Sequence, residues 1–248
     1  MSIESDDDLI ALRRVGRLVA RALQAMERAA EPRMTTADLD EVGAAVLREG
    51  GARSAPQILY GFPGFNLISV NEQIVHGIPG RRRLLPGDVV KLDVTAELDG
   101  YIADGARTVV LQPARPRAHR LRDPAAAAFS RAAARVRAGE LVSTIGREVE
   151  RSVSLDGFSV IRSLTGHGVG RTIHEAPSVP NYFDPGQHDV LTDGLVLTIE
   201  PLIAERPCHV VEEADGWTLR THNRALAAHF EETIVVTGGA PLVLTSAA

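Results

Sequence analysis

Two aspartates on a predicted β-hairpin are the first residues of this sequence whose types and spacing could do chemistry. Asp99-Gly100 lies between two runs rich in β-branched and apolar residues. An Asp-Gly loop of this kind needs positive φ at both positions and is a strong hairpin signal. Counting back from the loop pairs Leu98 with Tyr101. Asp93 and Asp104 are then diagonal neighbours on one face, roughly 7–8 Å apart.

Asp93 and Asp104 admit two interpretations at this point. Carboxylates that converge on an apolar strand pair repel each other, so a buried pair requires a cation or a shared proton. A solvated outer face is the alternative, and it is favoured by Lys91 and Glu97 on the same side of the strand. The hairpin alone does not decide between them. The rest of the chain favours the buried site.

The composition sets limits on the class of protein. The chain has 248 residues, ample for a buried core, and a net charge of −5, which argues against a broad nucleic-acid surface. No apolar run approaches the ~20 residues of a membrane span. The acidic N-terminus does not resemble a signal peptide, so we expect a cytoplasmic protein. Cys208 is the only cysteine, which excludes an internal disulfide and favours a packing role for its thiol.

Hydrophobic spacing, together with the capping residues, glycines and prolines, predicts the helices and strands that must position the aspartates. The prediction is helix over 6–28, helix from a Thr35/Asp38 capping box to about 48, loop over 52–65 and strand over 66–71. After the hairpin we expect a basic, Pro-containing linker over 112–123, exposed to solvent. A nucleic-acid or ribosome contact is the alternative for this linker. The later elements are predicted as helices from Asp123-Pro124 to about 137 and over 144–153, strand over 158–162, a Pro-rich loop over 175–190, and strands over 194–200 and from 231.

The order of elements occurs twice, which predicts an internal duplication. Each half has two helices, a strand, a His-Gly pair, a strand opened by glycine and an acid six residues after that glycine, followed by a second acid. The members are His76-Gly77, Gly87, Asp93 and Asp104 in the first half and His167-Gly168, Gly194, Glu200 and Glu231 in the second. We predict one α+β domain over 1–248. Its pseudo-symmetric halves, 5–111 and 124–237, would have an antiparallel sheet with helices on the outer side.

Pooling the acids of the two halves with one histidine predicts a metal centre. Four carboxylates and an imidazole cannot pack together dry, and two divalent ions would neutralise them. Oxygen ligands with one imidazole suit Mn, Fe(II), Co or Zn. A pair of such ions with bridging carboxylates is typical of hydrolytic sites. The proposed ligands are Asp93, Asp104, His167, Glu200 and Glu231.

The sequence resembles the type I methionine aminopeptidases, in their short bacterial form with the pita-bread fold. The resemblance extends over nearly the whole chain. It is carried by the motifs S-V-N-E-Q-I-V-H-G-I-P at 69–79, L-D-V-T-A-E-L-D-G-Y-I-A-D at 92–104, G-H-G-V-G-R-T-I-H-E-A-P at 166–177, T-I-E-P at 198–201 and D-G-W-T-L-R-T…E-E-T-I-V-V-T at 215–237.

The resemblance implies a role for each polar residue. Asp104 and Glu231 would bridge two metal ions, Asp93 would complete one site, and His167 with Glu200 the other. A metal-bound hydroxide would attack the first peptide bond, with Glu200 as proton shuttle. His76 and His174 would bind the substrate and stabilise the tetrahedral intermediate.

A methionine side chain needs a pocket with apolar and aromatic walls. The candidates are Leu59, Phe62, Leu67, Ile173 and Trp217, and plain core packing is the alternative for each. Two of them depart from the family, since Ile173 replaces a common aromatic and Leu59 a common tyrosine. Glu232 stands where a histidine is common, and would either add negative charge near the site or face solvent.

The implied activity is removal of the initiator methionine from nascent proteins with a small second residue. The ribosome is then one place where the substrate could be met. We expect a monomer that binds neither nucleic acid nor membranes. One rival is an Xaa-Pro or creatinase-like enzyme, which usually has an extra N-terminal domain for which helix near residue 6 leaves no room. The other is a binding protein on the same fold without catalytic activity. In such a protein we expect some of the metal-ligand residues to be replaced.

Overall fold

The computed structural model describes residues 1–114 and 116–246, with only the backbone of Arg117. Its helices are α1 (Asp6–Ala29), α2 (Thr36–Glu49), α3 (Ala55–Tyr60), α4 (Pro116–Ala133) and α5 (Ser143–Leu155). Its strands are β1 (Arg53–Ser54), β2 (Leu67–Val70), β3 (Gln73–Val75), β4 (Val89–Leu98), β5 (Tyr101–Val110), β6 (Ser159–Val160), β7 (Thr165–Gly168), β8 (Glu175–Pro180), β9 (Val196–Ile199), β10 (Leu202–Ala204), β11 (Val210–Glu212), β12 (Leu219–Thr221), β13 (Ala227–His229), β14 (Glu231–Val235) and β15 (Leu242–Val243).

One large antiparallel sheet forms the centre of the structure. Its strands follow the order β1-β4-β5-β14-β9-β7-β8, with β2 on β4 and β15 on β14. Two small sheets, β13-β10-β6 and β11-β12-β3, complete the described strands. Strand β14 lies between β5 and β9, and so joins the strands of the N-terminal part of the chain to those of the C-terminal part.

The β4–β5 hairpin has the predicted register. Leu98 pairs with Tyr101 across a loop in which Asp99 has φ 53° and Gly100 has φ 82°. Thr95 lies opposite Asp104 in the same ladder. The Asp-Gly signal therefore fixes which side chains share the face of Asp93, because strand side chains alternate with period two.

Two pairs of helices cover the large sheet. The predicted helix over 6–28 is α1, and the predicted capping box begins α2, where Thr35 and Asp38 bond each other's backbone N–H groups. Leu23 and Met26 of α1 pack with Leu92 and Val94 of β4 in one core cluster. Helices α4 and α5 pack on β9, β10 and β14 in another.

Three predictions of irregular structure were wrong. Helix α3 lies inside the predicted loop 52–65, because Ser54 caps it and Gly61 ends it with φ 72°. Helix α4 begins at Pro116, inside the predicted linker 112–123, and contains Pro124, where we predicted its start. Arg115 of that linker lies outside the described residues. Strand β8 occupies the first part of the predicted loop 175–190 and pairs with β7.

The solvated outer face proposed as an alternative for the hairpin is also wrong. All ten residues of β4 are buried, and Lys91 and Glu97 are only 1% and 6% exposed. The Lys91 ammonium donates to the carbonyls of Asn71 and Val89, and Glu97 accepts from Arg53. The face that carries Asp93 therefore points into the protein.

These elements confirm the α+β class. None of the described helices is long and apolar enough to cross a membrane. The division into two pseudo-symmetric halves within one domain stays a prediction.

Candidate metal centre and substrate cavity

Four neighbouring strands each bring one carboxylate to the middle of the large sheet. Asp93 lies on β4, Asp104 on β5 and Glu231 at the start of β14, while Glu200 directly follows β9. Each of the four residues is at most 8% exposed. Sequence positions from 93 to 231 therefore converge because their strands are adjacent in the sheet.

Burial makes ionisation of this acid cluster (Asp93, Asp104, Glu200 and Glu231) costly. Burial raises the pKa of Asp104 to about 7. The pKa values of the other three carboxyls are raised well above their usual range, first by burial and then by the negative charge of Asp104. The cluster on its own must hold protons that a bound cation would replace.

Among the described side chains, no cation neutralises the acid cluster. Within residues 1–114, 116 and 118–246, no lysine or arginine forms an ion pair with any of the four carboxylates. Oε1 of Glu231 is buried without a hydrogen-bond partner. Buried carboxylates of this kind are normally paired or coordinate metals, so the donor set fits divalent cations.

His167 presents an imidazole nitrogen to the same cluster. Its Nδ1 lies 3.0 Å from the Gly168 carbonyl oxygen, which can only accept, so Nδ1 carries the proton. Nε2 is then unprotonated and lies 3.6 Å from Oε1 of Glu200. A ring held by a hydrogen bond through its other nitrogen is the usual arrangement of a metal-binding histidine.

The possible ligand atoms form two groups that share Glu231. Asp104, His167 and Glu231 have ligand atoms within 4.8 Å of one another, and so do Asp93, His229 and Glu231. Thr95 donates to Oδ1 of Asp104 at 2.9 Å and holds that carboxylate in place. The described residues thus offer two groups of possible metal ligands, and Glu231 belongs to both.

A cavity of about 170 Å³ opens beside the acid cluster. Four of the five predicted pocket residues line it, namely Phe62, Leu67, Ile173 and Trp217. The Phe62 and Trp217 rings meet edge to face with centroids 5.2 Å apart. The predicted Leu59 does not line the cavity and is 43% exposed. Tyr60, the next residue of helix α3, lines it instead: it is also partly exposed, but its hydroxyl reaches His174.

Two further histidines, His76 and His174, line the cavity. Nδ1 of His174 lies 2.8 Å from the Tyr60 hydroxyl, and its ring centroid is 4.5 Å from that of His167. His76 has φ 58°, an uncommon backbone conformation for a residue other than glycine. Burial lowers the pKa of both rings, to about 4 for His76, so both are neutral at pH 7.

Glu232 neither faces solvent nor adds charge to the acid cluster. It is 3% exposed and lies one position along β14 from Glu231, so its side chain points to the opposite face. There it accepts hydrogen bonds from Arg107 and from the Thr245 hydroxyl. Its charge is neutralised within the protein.

Sequence reasoning missed Tyr60, Thr95 and His229. His229 is 1% exposed and lines the cavity. The sequence could have indicated this residue, because it stands only two positions before the predicted metal ligand Glu231. Tyr60 had no comparable signal, since it depends on the short helix α3.

Comparisons with known proteins agree with this geometry. The model of metallopeptidase family M24 matches residues 11–238. Methionine aminopeptidase 2 of Bacillus subtilis is 42% identical over 247 residues, 99% of each chain. The crystal structure of methionine aminopeptidase from Thermotoga maritima superposes with a TM-score of 0.96 at 31% identity and full coverage of both chains. These similarities confirm the predicted pita-bread fold.

A prolidase from Pyrococcus furiosus shares the fold alone. It has a TM-score of 0.79 at 19% identity, and the match covers 99% of this chain but 66% of the prolidase.

Proposed function

Since this chain belongs to metallopeptidase family M24, we propose that it hydrolyses the first peptide bond of chains that begin with methionine. The observation that carries the proposal is the acid cluster, buried without a lysine or arginine partner among the described residues, beside an apolar cavity. The curated relatives of similar length support the same reaction, because they are named methionine aminopeptidases.

Five residues would hold the metal ions. They are Asp93, Asp104, His167, Glu200 and Glu231. Glu231 belongs to both groups of ligand atoms, and the family resemblance implies the same shared role for Asp104. Bound divalent ions supply Lewis-acid activation of water and of the peptide carbonyl. Mn, Fe(II), Co and Zn all suit this donor set.

The remaining polar residues act on the substrate. If the Tyr60 hydroxyl donates to Nδ1 of His174, the ring proton lies on Nε2, which can then donate to the carbonyl oxygen that becomes negative. His76 is neutral and lines the same cavity, so it can bond the substrate backbone. Glu200 lines the cavity and would carry the proton from the attacking water to the leaving amine.

The methionine side chain would occupy the apolar end of the cavity. Phe62 and Trp217 offer aromatic edges to its sulfur, and Leu67 and Ile173 complete the wall. Tyr60 takes the place that we predicted for Leu59. The substrates that we propose are nascent polypeptides with a small second residue, met in the cytoplasm or at the ribosome by a monomeric enzyme.

Release of free methionine from Met-Ala-Ser tests the proposal. The chelator-treated protein should be inactive and should regain activity on titration with Mn, Co, Fe(II) or Zn. Met-Lys-Ser should be a poor substrate and Ala-Pro-Ala should not be cleaved. Cleavage of Ala-Pro-Ala alone would instead assign the chain to the Xaa-Pro peptidases. If no peptide is cleaved while metal binding is measured by calorimetry, the proposed hydrolysis is wrong.

A replacement in the cavity wall tests the role of Tyr60. Tyr60→Phe should lower kcat for Met-Ala-Ser about tenfold, since it removes the hydrogen bond that fixes the His174 ring. Leu59→Ala is the matched control on the same helix and should leave kcat and KM unchanged, because its side chain points to solvent. Equal effects of the two changes would contradict this placement.

A further inference from the structure

His229 is a buried imidazole at the end of β13 whose two ring nitrogens have no hydrogen-bond partner. It is 1% exposed and lines the cavity beside the acid cluster. Buried polar side-chain atoms nearly always have partners, because leaving one unpaired destabilises the folded state. An apolar side chain could fill the same space without this cost. The presence of an imidazole therefore indicates that its ring nitrogens bind a partner.

The position of the ring identifies what that partner is. Nε2 of His229 lies 3.4 Å from Oε2 of Glu231 and 3.7 Å from Oε2 of Glu200. Neither contact meets the geometry of a hydrogen bond, as both ring nitrogens remain unpartnered. Two ligand atoms bound at ~2.0–2.1 Å to one tetrahedral ion lie roughly 3.3–3.4 Å apart. The separation between His229 and Glu231 is that of two ligands of the same ion.

The neighbouring carboxylates show which ion this would be. Ligand atoms of His229, Asp93 and Glu231 lie within 4.8 Å of one another, whereas His167 belongs to the group formed with Asp104 and Glu231. The two imidazoles therefore fall in different groups, which have Glu231 in common, and both lie near Glu200. Each would serve a different metal position.

We propose that Nε2 of His229 binds the metal ion held by Asp93 and Glu231, which gives the centre a second imidazole ligand. The inference rests on the proposed function, because it assumes the pair of divalent ions. Its chemical consequence is that both positions carry nitrogen. Imidazole suits Zn and Fe better than Mn, so this side of the centre should prefer the former ions.

X-ray absorption of the zinc-loaded full chain tests the proposal without reference to activity. With two zinc ions bound, the wild type should show about one imidazole per zinc on average, and His229→Gln should show about half. Glutamine keeps the polarity and much of the volume of the side chain. His188→Gln, in the exposed loop after β8, is the matched control and should leave the spectrum unchanged.

Calorimetric titration with zinc supplies the second readout. His229→Gln should weaken binding of one of the two ions at least about tenfold and leave the other unchanged, since loss of even an indirect partner of a ligand costs about 10–100-fold. A wild type with two ions and only half an imidazole per zinc would overturn the inference, whether or not the variant folds. So would a variant with lower activity but unaltered zinc binding, which would make His229 a substrate contact. Binding of fewer than two ions by the wild type would instead contradict the proposed dinuclear centre.

Discussion

Glu231 and Glu232 are consecutive buried carboxylates on the same strand, but their side chains lie in opposite electrostatic surroundings. Glu232 accepts from Arg107 and Thr245, so its charge is neutralised by a neighbouring side chain. Glu231 has three other carboxylates around it and no lysine or arginine partner among the described residues. A buried acid that the chain supplies with a cation belongs to the structure. Glu231, which has none, is in our proposal part of a site that binds its cation from outside.

Glu231→Gln is the change with the largest expected effect. It should lower kcat/KM for Met-Ala-Ser by at least about 10³-fold, because it removes the carboxylate shared by both ligand groups and with it the electrostatic stabilisation that they supply. Asp104→Asn should do the same. Both metal-free variants should fold, with a free energy of unfolding equal to or above that of the wild type. Near-normal turnover by either variant would contradict the bridging assignment.

Glu232→Gln should have the reverse effect. It should lower the free energy of unfolding by about 3 kcal/mol, because it leaves Arg107 partly buried without its partner. Turnover at 25 °C should stay within about twofold of the wild type, since Glu232 points away from the cavity. Urea denaturation and the Met-Ala-Ser assay check the two halves of this prediction. A variant with normal stability and lost turnover would show that Glu232 acts on the metal centre after all.

Per pH unit, the pH dependence of the metal-free protein is the smallest expected effect. In the unfolded chain Glu231 releases its proton near its ordinary pKa, whereas the folded chain keeps that proton because the pKa of Glu231 is raised. The folded state binds more protons, so this contribution to stability falls as pH rises from 5 to 8. The slope is at most about 1.4 kcal/mol per pH unit.

Comparison with Glu231→Gln measures that contribution together with the changed titration of Asp93, Asp104 and Glu200, whose charges interact with Glu231. The stability advantage of the metal-free variant should grow with pH. Saturating Mn²⁺ should remove the advantage, since the ion compensates the charge. A difference in stability that does not vary with pH would mean that the folded protein does not hold this proton.

The sequence predicted the parts of the site that rest on local rules. An Asp-Gly loop specifies the register of β4 and β5, and alternation then places Asp93 with Asp104. The sequence could not show which face of the hairpin is exposed to solvent. Alternation separates the side chains into two faces but does not indicate which face is buried. Lys91 and Glu97 therefore suggested the wrong side. Their charges are satisfied by Asn71, Val89 and Arg53, contacts that no local pattern encodes.

The errors at Leu59 and Glu232 have different causes. Tyr60 replaces Leu59 at the cavity because the Ser54 cap begins a helix in a segment that proline and glycine made look irregular. Glu232 could have been placed correctly, since it must point away from the face that carries Glu231. Its partner Arg107 lies 125 residues away in the sequence and could not have been foreseen.

The place of β14 in the sheet has a consequence for how the protein is made. Among the strands of the large sheet's central path it is the last to be synthesised, yet it lies between β5 and β9. On a translating ribosome, β5 and β9 therefore emerge with open edges that only β14 can pair. Contacts between distant parts of a chain form slowly, and unpaired edges are prone to aggregation. Glu231 is the first residue of β14, so the pairing of β14 with β5 and β9 also completes the acid cluster. Before that pairing, the nascent chain has no assembled acid cluster.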